Sequence, residues 1–261
     1  MILPRAEILA WRADHAPWAD EDDVEQDLLL TRALCDVFAD GFLREHLAFR
    51  GGTALHKLHL PPAARYSDDL DFVQREPEPI GPTLDRLRAV LGWLGRGRSE
   101  IGEHPKLTFA FITEATGQTR RIKIEINTHE HFGSVVARPF SVRSRPLTAT
   151  VAIPTHSLEE LLATKLRALY QRRKGRDLFD LWYASERATI APREIVRLFG
   201  VYITRAGLAV PSHASFERNL AAKASSGAFA EVPPLLRPGV AWDPTSALEW
   251  LRDALLLLLE N

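Results

Sequence analysis

The stretch Phe49–Phe72 reads FRGGTALHKLHLPPAARYSDDLDF, and it decides the fold of the N-terminal part of the chain. Its Gly51-Gly52 pair predicts a turn that opens a short helix, and residues 69–74 predict the first clear strand. On an extended strand Asp69 and Asp71 point to one face, while their apolar neighbours point to the other. Two carboxylates held together on the solvent side of a strand repel each other unless a cation lies between them. The pattern therefore predicts a cation site.

The glycine turn adds a site for an anion. It comprises Gly51, Gly52 and Thr53. Backbone N–H groups at such a helix start favour a phosphate, and a cation site beside a phosphate site is typical of nucleotidyl or phosphoryl transfer. Two nearby residues, Ser67 and Arg65, each allow two interpretations. Ser67 either hydrogen-bonds a substrate phosphate or holds the turn, and Arg65 either binds a phosphate bidentately or pairs with Asp68.

Composition limits the partners and the compartment. The 261-residue chain has a formal net charge of −1, which excludes binding of nucleic acid through bulk charge and requires a local basic patch instead. A single cysteine, Cys35, excludes a disulfide framework and favours a reducing cytosol. The N terminus resembles no secretory signal, and the longest apolar run, 254–259, is too short to span a membrane. We expect a cytoplasmic protein without a membrane segment.

A second carboxylate-bearing strand follows. Residues 106–113 and 120–128 alternate between apolar and polar side chains, which predicts a β-hairpin. Glu125 and Lys123 lie on its polar face. If this strand neighbours the aspartate strand, three carboxylates converge on one surface, and such oxygen ligands suit Mg²⁺. The alternative is that Glu125 and Lys123 are ordinary solvated residues.

The C-terminal half carries an inward-facing lysine. In the predicted helix 158–173, Lys165 falls in the middle of the leucine stripe, where a charge is costly unless it meets an anion. Lys165 either snorkels, pairs with Asp180, or contacts a bound triphosphate. Asp177 and Asp180 have the spacing of an N-cap and N3 pair for a helix over 178–187. A basic cluster precedes them, which either is solvated or contacts a polyanionic acceptor. It consists of Arg172, Arg173, Lys174 and Arg176.

The remaining pattern places a boundary near residue 155. Helices are predicted over 24–43 and 83–93, and residues 47–50 are an apolar link into the glycine turn. From residue 157 the period is helical, apart from a Pro/Gly/Ser-rich passage over 211–244. We expect an α/β unit over 1–155 and a helical domain over 156–261.

Four ordered blocks carry a family resemblance: RGGTAL, RYSDDLDF, IKIEIN and LEELLATKLRALYQRRKGRDLFDLW. Together they resemble the AbiEii/AbiGii-type nucleotidyltransferase toxins, including the MenT-like mycobacterial group, from about Val24 onward. The resemblance implies an α+β fold, in which a DNA polymerase β-like nucleotidyltransferase core with a mixed β-sheet is followed by a mainly helical C-terminal region.

The resemblance also implies roles for the residues that match these blocks. Asp69 and Asp71 would bind the metal, and Glu125 matches the third acidic block. Lys165 matches the lysine that contacts the nucleotide, and Asp180 the acidic residue of the last block. The implied cofactor is Mg²⁺, with Mn²⁺ as an alternative.

The implied reaction is transfer of NMP from an NTP to the 3′ acceptor end of tRNA, with release of pyrophosphate and inhibition of growth. A cognate antitoxin from a neighbouring gene is the expected partner. Two rivals remain open from the sequence. One keeps the chemistry but changes the acceptor to a protein hydroxyl or a small molecule, and the other is a GTP-binding module that acts through a partner without catalysis.

Overall fold

The computed structural model describes residues 3–260. The chain divides into two compact units, one ending at His156 and the other beginning at Ser157. Each unit has its own buried core.

The first unit is built on a seven-stranded sheet with the strand order β3-β4-β5-β2-β1-β7-β6. The pairs β2/β5 and β1/β7 are parallel and the other four pairs are antiparallel, so the sheet is mixed. The strands are β1 (Leu47–Arg50), β2 (Asp69–Gln74), β3 (Arg98–Glu100), β4 (Lys106–Ile112), β5 (Thr119–Asn127), β6 (Val136–Arg143) and β7 (Thr148–Thr155).

Helix α2 (Glu21–Ala39) packs on one face of this sheet. The helices of the unit are α1 (Arg5–Asp14), α2 (Glu21–Ala39), α3 (Gly41–His46), α4 (Gly51–Ala54), which continues as a π turn over Leu55–His59, and α5 (Gly81–Val90). Phe38 of α2 packs against Phe49 and Phe72, with ring centroids 6.4 and 5.7 Å away. Because side chains alternate along a strand, residues adjacent to these phenylalanines point to the opposite face.

Two local predictions for this unit are wrong. The helix predicted over 24–43 is two helices, because the Asp40 side chain accepts a hydrogen bond from the Leu43 backbone N–H and starts α3. Residues 47–50 are not a link but strand β1, which lies between β2 and β7. The predicted hairpin is confirmed as β4 and β5.

The second unit is helical. Its helices are α6 (Leu158–Gln171), α7 (Gly175–Arg187), α8 (Pro192–Arg205), α9 (His213–Ser225) and α10 (Pro244–Ala254). Ser157 caps α6 by accepting from the Glu160 backbone N–H. Helix α9 lies inside the passage predicted to lack helix, where Ser212 acts as its N-cap.

The mixed sheet and the helical second unit confirm the predicted α+β class. None of the helices within residues 3–260 is long and apolar enough to cross a membrane.

Candidate active site

The register of β2 and β5 brings the predicted carboxylates onto neighbouring strands. Asp69 lies beside Lys123, and Asp71 lies beside Glu125, in a parallel pairing. Paired residues of adjacent strands point to the same face. The condition set by the sequence is therefore met: all three carboxylates share the face opposite to α2.

Two lysines supply positive charge to this face. Lys123 Nζ lies 2.9 Å from Asp69 Oδ2 and 4.0 Å from Glu125 Oε2, while Lys106 Nζ lies 3.5 Å from Glu125 Oε2. Between residues 3 and 260, no three histidine, cysteine or acidic side chains are grouped so that they could hold a metal ion as they stand. Asp69, Asp71 and Glu125 share one face of the sheet but do not converge on one point. Lysine side chains contact two of them, Asp69 and Glu125.

The carboxylate of Asp69 is costly to ionise. Its burial, followed by the negative charge of Asp68 and then of Asp71, raises its pKa to about 6, although the hydrogen bond and charge of Lys123 act in the opposite direction. The Lys123 ammonium group therefore does not fully offset these effects on Asp69. Carboxylate oxygens on one face of the sheet are a donor set that fits a hard divalent cation.

Gly51 lets the turn approach Asp71 closely. Its φ is +79°, and a Cβ at this position would lie 2.1 Å from Asp71 Oδ2. Only glycine meets both requirements, because it accepts positive φ and has no side chain to displace the carboxylate. The Gly51 turn and the Asp71 carboxylate are thus closely packed against each other.

Thr53 ties this turn to the start of β2. Its Oγ1 lies 2.7 Å from the Asp69 carbonyl oxygen and 2.8 Å from Ser67 Oγ. A hydroxyl has one proton, so Thr53 donates to the carbonyl and accepts from Ser67. Ser67 therefore makes a contact that holds the turn, as one of its two interpretations predicts. The buried Thr53 side chain connects Ser67 to the Asp69 carbonyl oxygen.

Arg65 is held inside the unit. Its side chain is 2 % exposed, and Nη1 donates to the Tyr66 carbonyl oxygen at 2.9 Å. The guanidinium is therefore buried, and a contact of Arg65 with a phosphate stays a prediction.

In the second unit, Lys165 lies among carboxylates. Its Nζ is 2.7 Å from Asp180 Oδ2 and 3.2 Å from Asp177 Oδ1, and both aspartates are fully buried. Arg172 binds Asp177 from the other side, with Nε–Oδ2 at 2.7 Å and Nη2–Oδ1 at 2.8 Å. These cations hold the pKa of Asp177 below its usual range despite burial. The inward lysine has its anion within its own unit.

Asp177 is not the N-cap that the sequence predicts. Helix α7 begins at Gly175 and is preceded by Lys174, whose side chain makes no cap. Asp177 instead lies in the first turn of α7, where it holds Lys165 and Arg172.

The basic cluster around the start of α7 is partly paired with carboxylates. Besides Arg172, Lys174 contacts Glu231, with 3.5 Å between Nζ and Oε2. Arg173 is exposed and Arg176 is half-buried. The acceptor-binding role of the four residues stays a prediction.

Sequence reasoning missed the partners of the carboxylates. Lys123 was visible on the polar face of its strand, but only the register shows that it binds Asp69. Arg50 was not singled out. It lies in register with Asp71 and forms an ion pair with Glu130.

These features were compared with known proteins. The profile of the nucleotidyl transferase AbiEii toxin family, from a type IV toxin–antitoxin system, matches residues 32–245. The chain belongs to the AbiEii toxin family. It is accordingly a nucleotidyltransferase, and its family implies an NTP substrate and an antitoxin partner.

Solved structures share the fold of this AbiEii protein. MenT4, a nucleotidyltransferase toxin from Mycobacterium tuberculosis H37Rv, superimposes with a TM-score of 0.68 at 19% identity, covering 98% of this chain and 89% of that one. A putative nucleotidyltransferase from H. pylori gives a TM-score of 0.56 at 19% identity, covering 92% and 95%. A search of curated proteins gave no match.

Proposed function

We propose that this AbiEii protein transfers NMP from an NTP to the 3′ end of tRNA and thereby inhibits translation and growth. The observation that supports it best is the register that pairs Asp69 with Lys123 and Asp71 with Glu125, beside the Gly51 turn. Because NTP and tRNA are its substrates, we place the reaction in the cytoplasm.

Asp69, Asp71 and Glu125 would hold Mg²⁺, or Mn²⁺ in its place. When bound, the cation polarises the α-phosphate and stabilises the leaving pyrophosphate. In the transfer step the acceptor hydroxyl oxygen forms a bond to the α-phosphorus, and the bond from that phosphorus to the bridging oxygen of pyrophosphate breaks. The hydroxyl proton leaves to a base, for which Glu125 is the candidate on this face.

The chain's own groups would orient the donor. The Gly51 and Gly52 amides face the triphosphate, and Thr53 with Ser67 keeps the turn fixed to β2.

The contacts that we assign to the second unit rest on the family resemblance. Lys165 and Asp180 serve the nucleotide, and Asp177 positions Lys165. The basic residues at 172–176 serve the acceptor.

The test is incubation of the purified protein with total tRNA, Mg²⁺ and each α-³²P-labelled NTP, read on a denaturing gel. We expect label in tRNA, lost in Asp69→Asn and retained in Asp68→Asn, a matched loss of one carboxylate at the adjacent exposed residue. Label in a protein band or a small molecule would replace tRNA as the acceptor. NTP binding without label anywhere would favour the non-catalytic module.

A further inference from the structure

A second cluster of charge lies at the edge of the same sheet, away from the carboxylates. An open depression of about 820 Å³ is lined by Arg88, Gly95, Arg96, Gly97, Arg98 and Ser99. Its residues join α5, the short turn after it and the edge strand β3. We call this the arginine edge.

The backbone of the arginine edge is shaped by its two glycines. Gly95 has a φ of +96°, and a Cβ on Gly97 would lie 2.8 Å from Phe109 Cε1 and 2.9 Å from Leu107 Cδ1. The loop is therefore pressed flat against β4. Arg96 and Arg98, which alternate with these glycines, point to solvent.

Two arginines of the arginine edge are exposed and, in the described part of the chain, unpaired. Across residues 3–260, the side chains of Arg96 and Arg98 make no ion pair or hydrogen bond, and both residues are exposed. Arg88 is fixed beside them, since Nη2 donates to Ser99 Oγ at 2.7 Å and Nη1 contacts Asp85. Lys123 and Lys106, on the same face of the sheet, are by contrast already paired with carboxylates.

The edge is connected to the carboxylates by register. Arg98 pairs with Thr108, Thr108 with Lys123, and Lys123 with Asp69. All four residues therefore lie in one row on one face of the sheet. Three strand spacings separate the ends of the row, which is about 14 Å. At a rise of about 3.4 Å per stacked nucleotide, a single strand of about four nucleotides covers that distance.

We propose that the arginine edge binds the phosphate backbone of the RNA acceptor a few nucleotides before its 3′ end, and so directs that end along the row toward Asp69. The occupant is RNA because the exposed guanidinium groups of Arg96 and Arg98 complement a polyphosphate backbone. The chain's net charge of −1 makes a local patch necessary for such binding. This inference rests on the proposed function for its acceptor.

The test measures RNA affinity apart from catalysis. A 5′-fluorescein-labelled 12-nucleotide single-stranded RNA is titrated with the full-length protein, and anisotropy is followed in the wild type and in Arg96→Glu/Arg98→Glu. The matched control is Arg143→Glu/Arg145→Glu, at the end of β6 on the opposite edge of the sheet, with the same change in charge. Thermal melting confirms that both variants fold.

We expect RNA affinity to fall by about tenfold or more at the arginine edge and by much less in the control. In Arg96→Ala/Arg98→Ala, the slope of log affinity against log salt should become shallower by about 1.4, for two lost phosphate contacts. NTP affinity should not change. Equal losses at both edges, or no loss at either, would overturn the proposal.

The outcome can be separated from that of the proposed function. Transfer of label to tRNA at wild-type efficiency in the arginine-edge variant would overturn the inference and leave the function intact. Suppose instead that the variant loses RNA binding but the wild type transfers no label to tRNA. The arginine edge would then remain an RNA-binding surface, and the proposed transfer to tRNA would be wrong.

Discussion

Lys123 Nζ lies 2.9 Å from Asp69 Oδ2, so the first carboxylate of the aspartate pair already has a positive partner from the neighbouring strand. A divalent cation that binds Asp69 must compete with this ammonium group. The lysine therefore lowers metal affinity while it limits repulsion between the carboxylates.

We expect Lys123→Met to bind Mn²⁺ about tenfold or more tightly, because a like charge near the cation is removed. Isothermal titration calorimetry of the protein without nucleotide measures this. Arg121→Met is the control, since it removes a positive charge from the same face of β5 without touching Asp69. Equal affinity in the two variants would show that Lys123 does not compete with the metal.

Asp69 also makes the metal-free protein sensitive to pH. Its pKa is about 6 in the folded protein, against 3.8 for an unperturbed aspartate, so folding disfavours its ionised form. The penalty is fully present above about pH 6 and is relieved as pH falls toward 4. In EDTA, Asp69→Asn should therefore raise the free energy of unfolding at pH 7.5, by up to about 3 kcal/mol, and have little effect near pH 4. Urea unfolding at both pH values checks this, with the exposed Asp253→Asn as control.

Gly51→Ala should slow transfer by displacing a carboxylate of the site. The new Cβ would displace the Asp71 carboxylate, from which an ideal position is only 2.1 Å away. We expect kcat to fall by about a hundredfold. Gly117→Ala is matched, because Gly117 has a φ of +71° and nothing within 4 Å of its added Cβ. If both alanines reduced activity and stability alike, backbone strain alone would explain the effect at Gly51.

Lys165→Met leaves two buried aspartates without their shared cation. We expect a loss of about 3–5 kcal/mol in the free energy of unfolding, since a buried charge without its partner is strongly destabilising. Adding Asp180→Asn should recover part of that loss, as measured by urea unfolding. NTP affinity in the double variant separates the roles. Wild-type NTP affinity after this repair would make Lys165 a structural ion-pair partner and remove its assignment to the nucleotide.

Alternation of side chains was enough to predict the faces of β2 and β5, because period-two patterns do not depend on distant residues. The pairing of Lys123 with Asp69 was not predictable in this way, since it depends on the register between segments more than fifty residues apart. Lys165 shows a related limit. Its place in the leucine stripe predicted an anion, but the identity of that anion depends on where α7 begins.

The missed elements have local causes. Strand β6 contains Pro139 and is mostly exposed, so it lacks an apolar pattern. Helix α9 begins at His213, in a passage whose Pro/Gly/Ser content predicts a loop. The preceding Ser212 is its N-cap and accepts from the Ser215 backbone N–H.

The parallel pairing of β1 with β7 governs when the core can close. The Thr155 hydroxyl donates to the Phe49 carbonyl oxygen at 2.7 Å, across 106 positions of sequence. Closing so long a loop carries an entropic cost that precedes any gain from the contact, and non-local pairings of this kind slow folding. During synthesis, the strand that ends in the glycine turn therefore remains an open sheet edge until about the first 155 residues have left the ribosome.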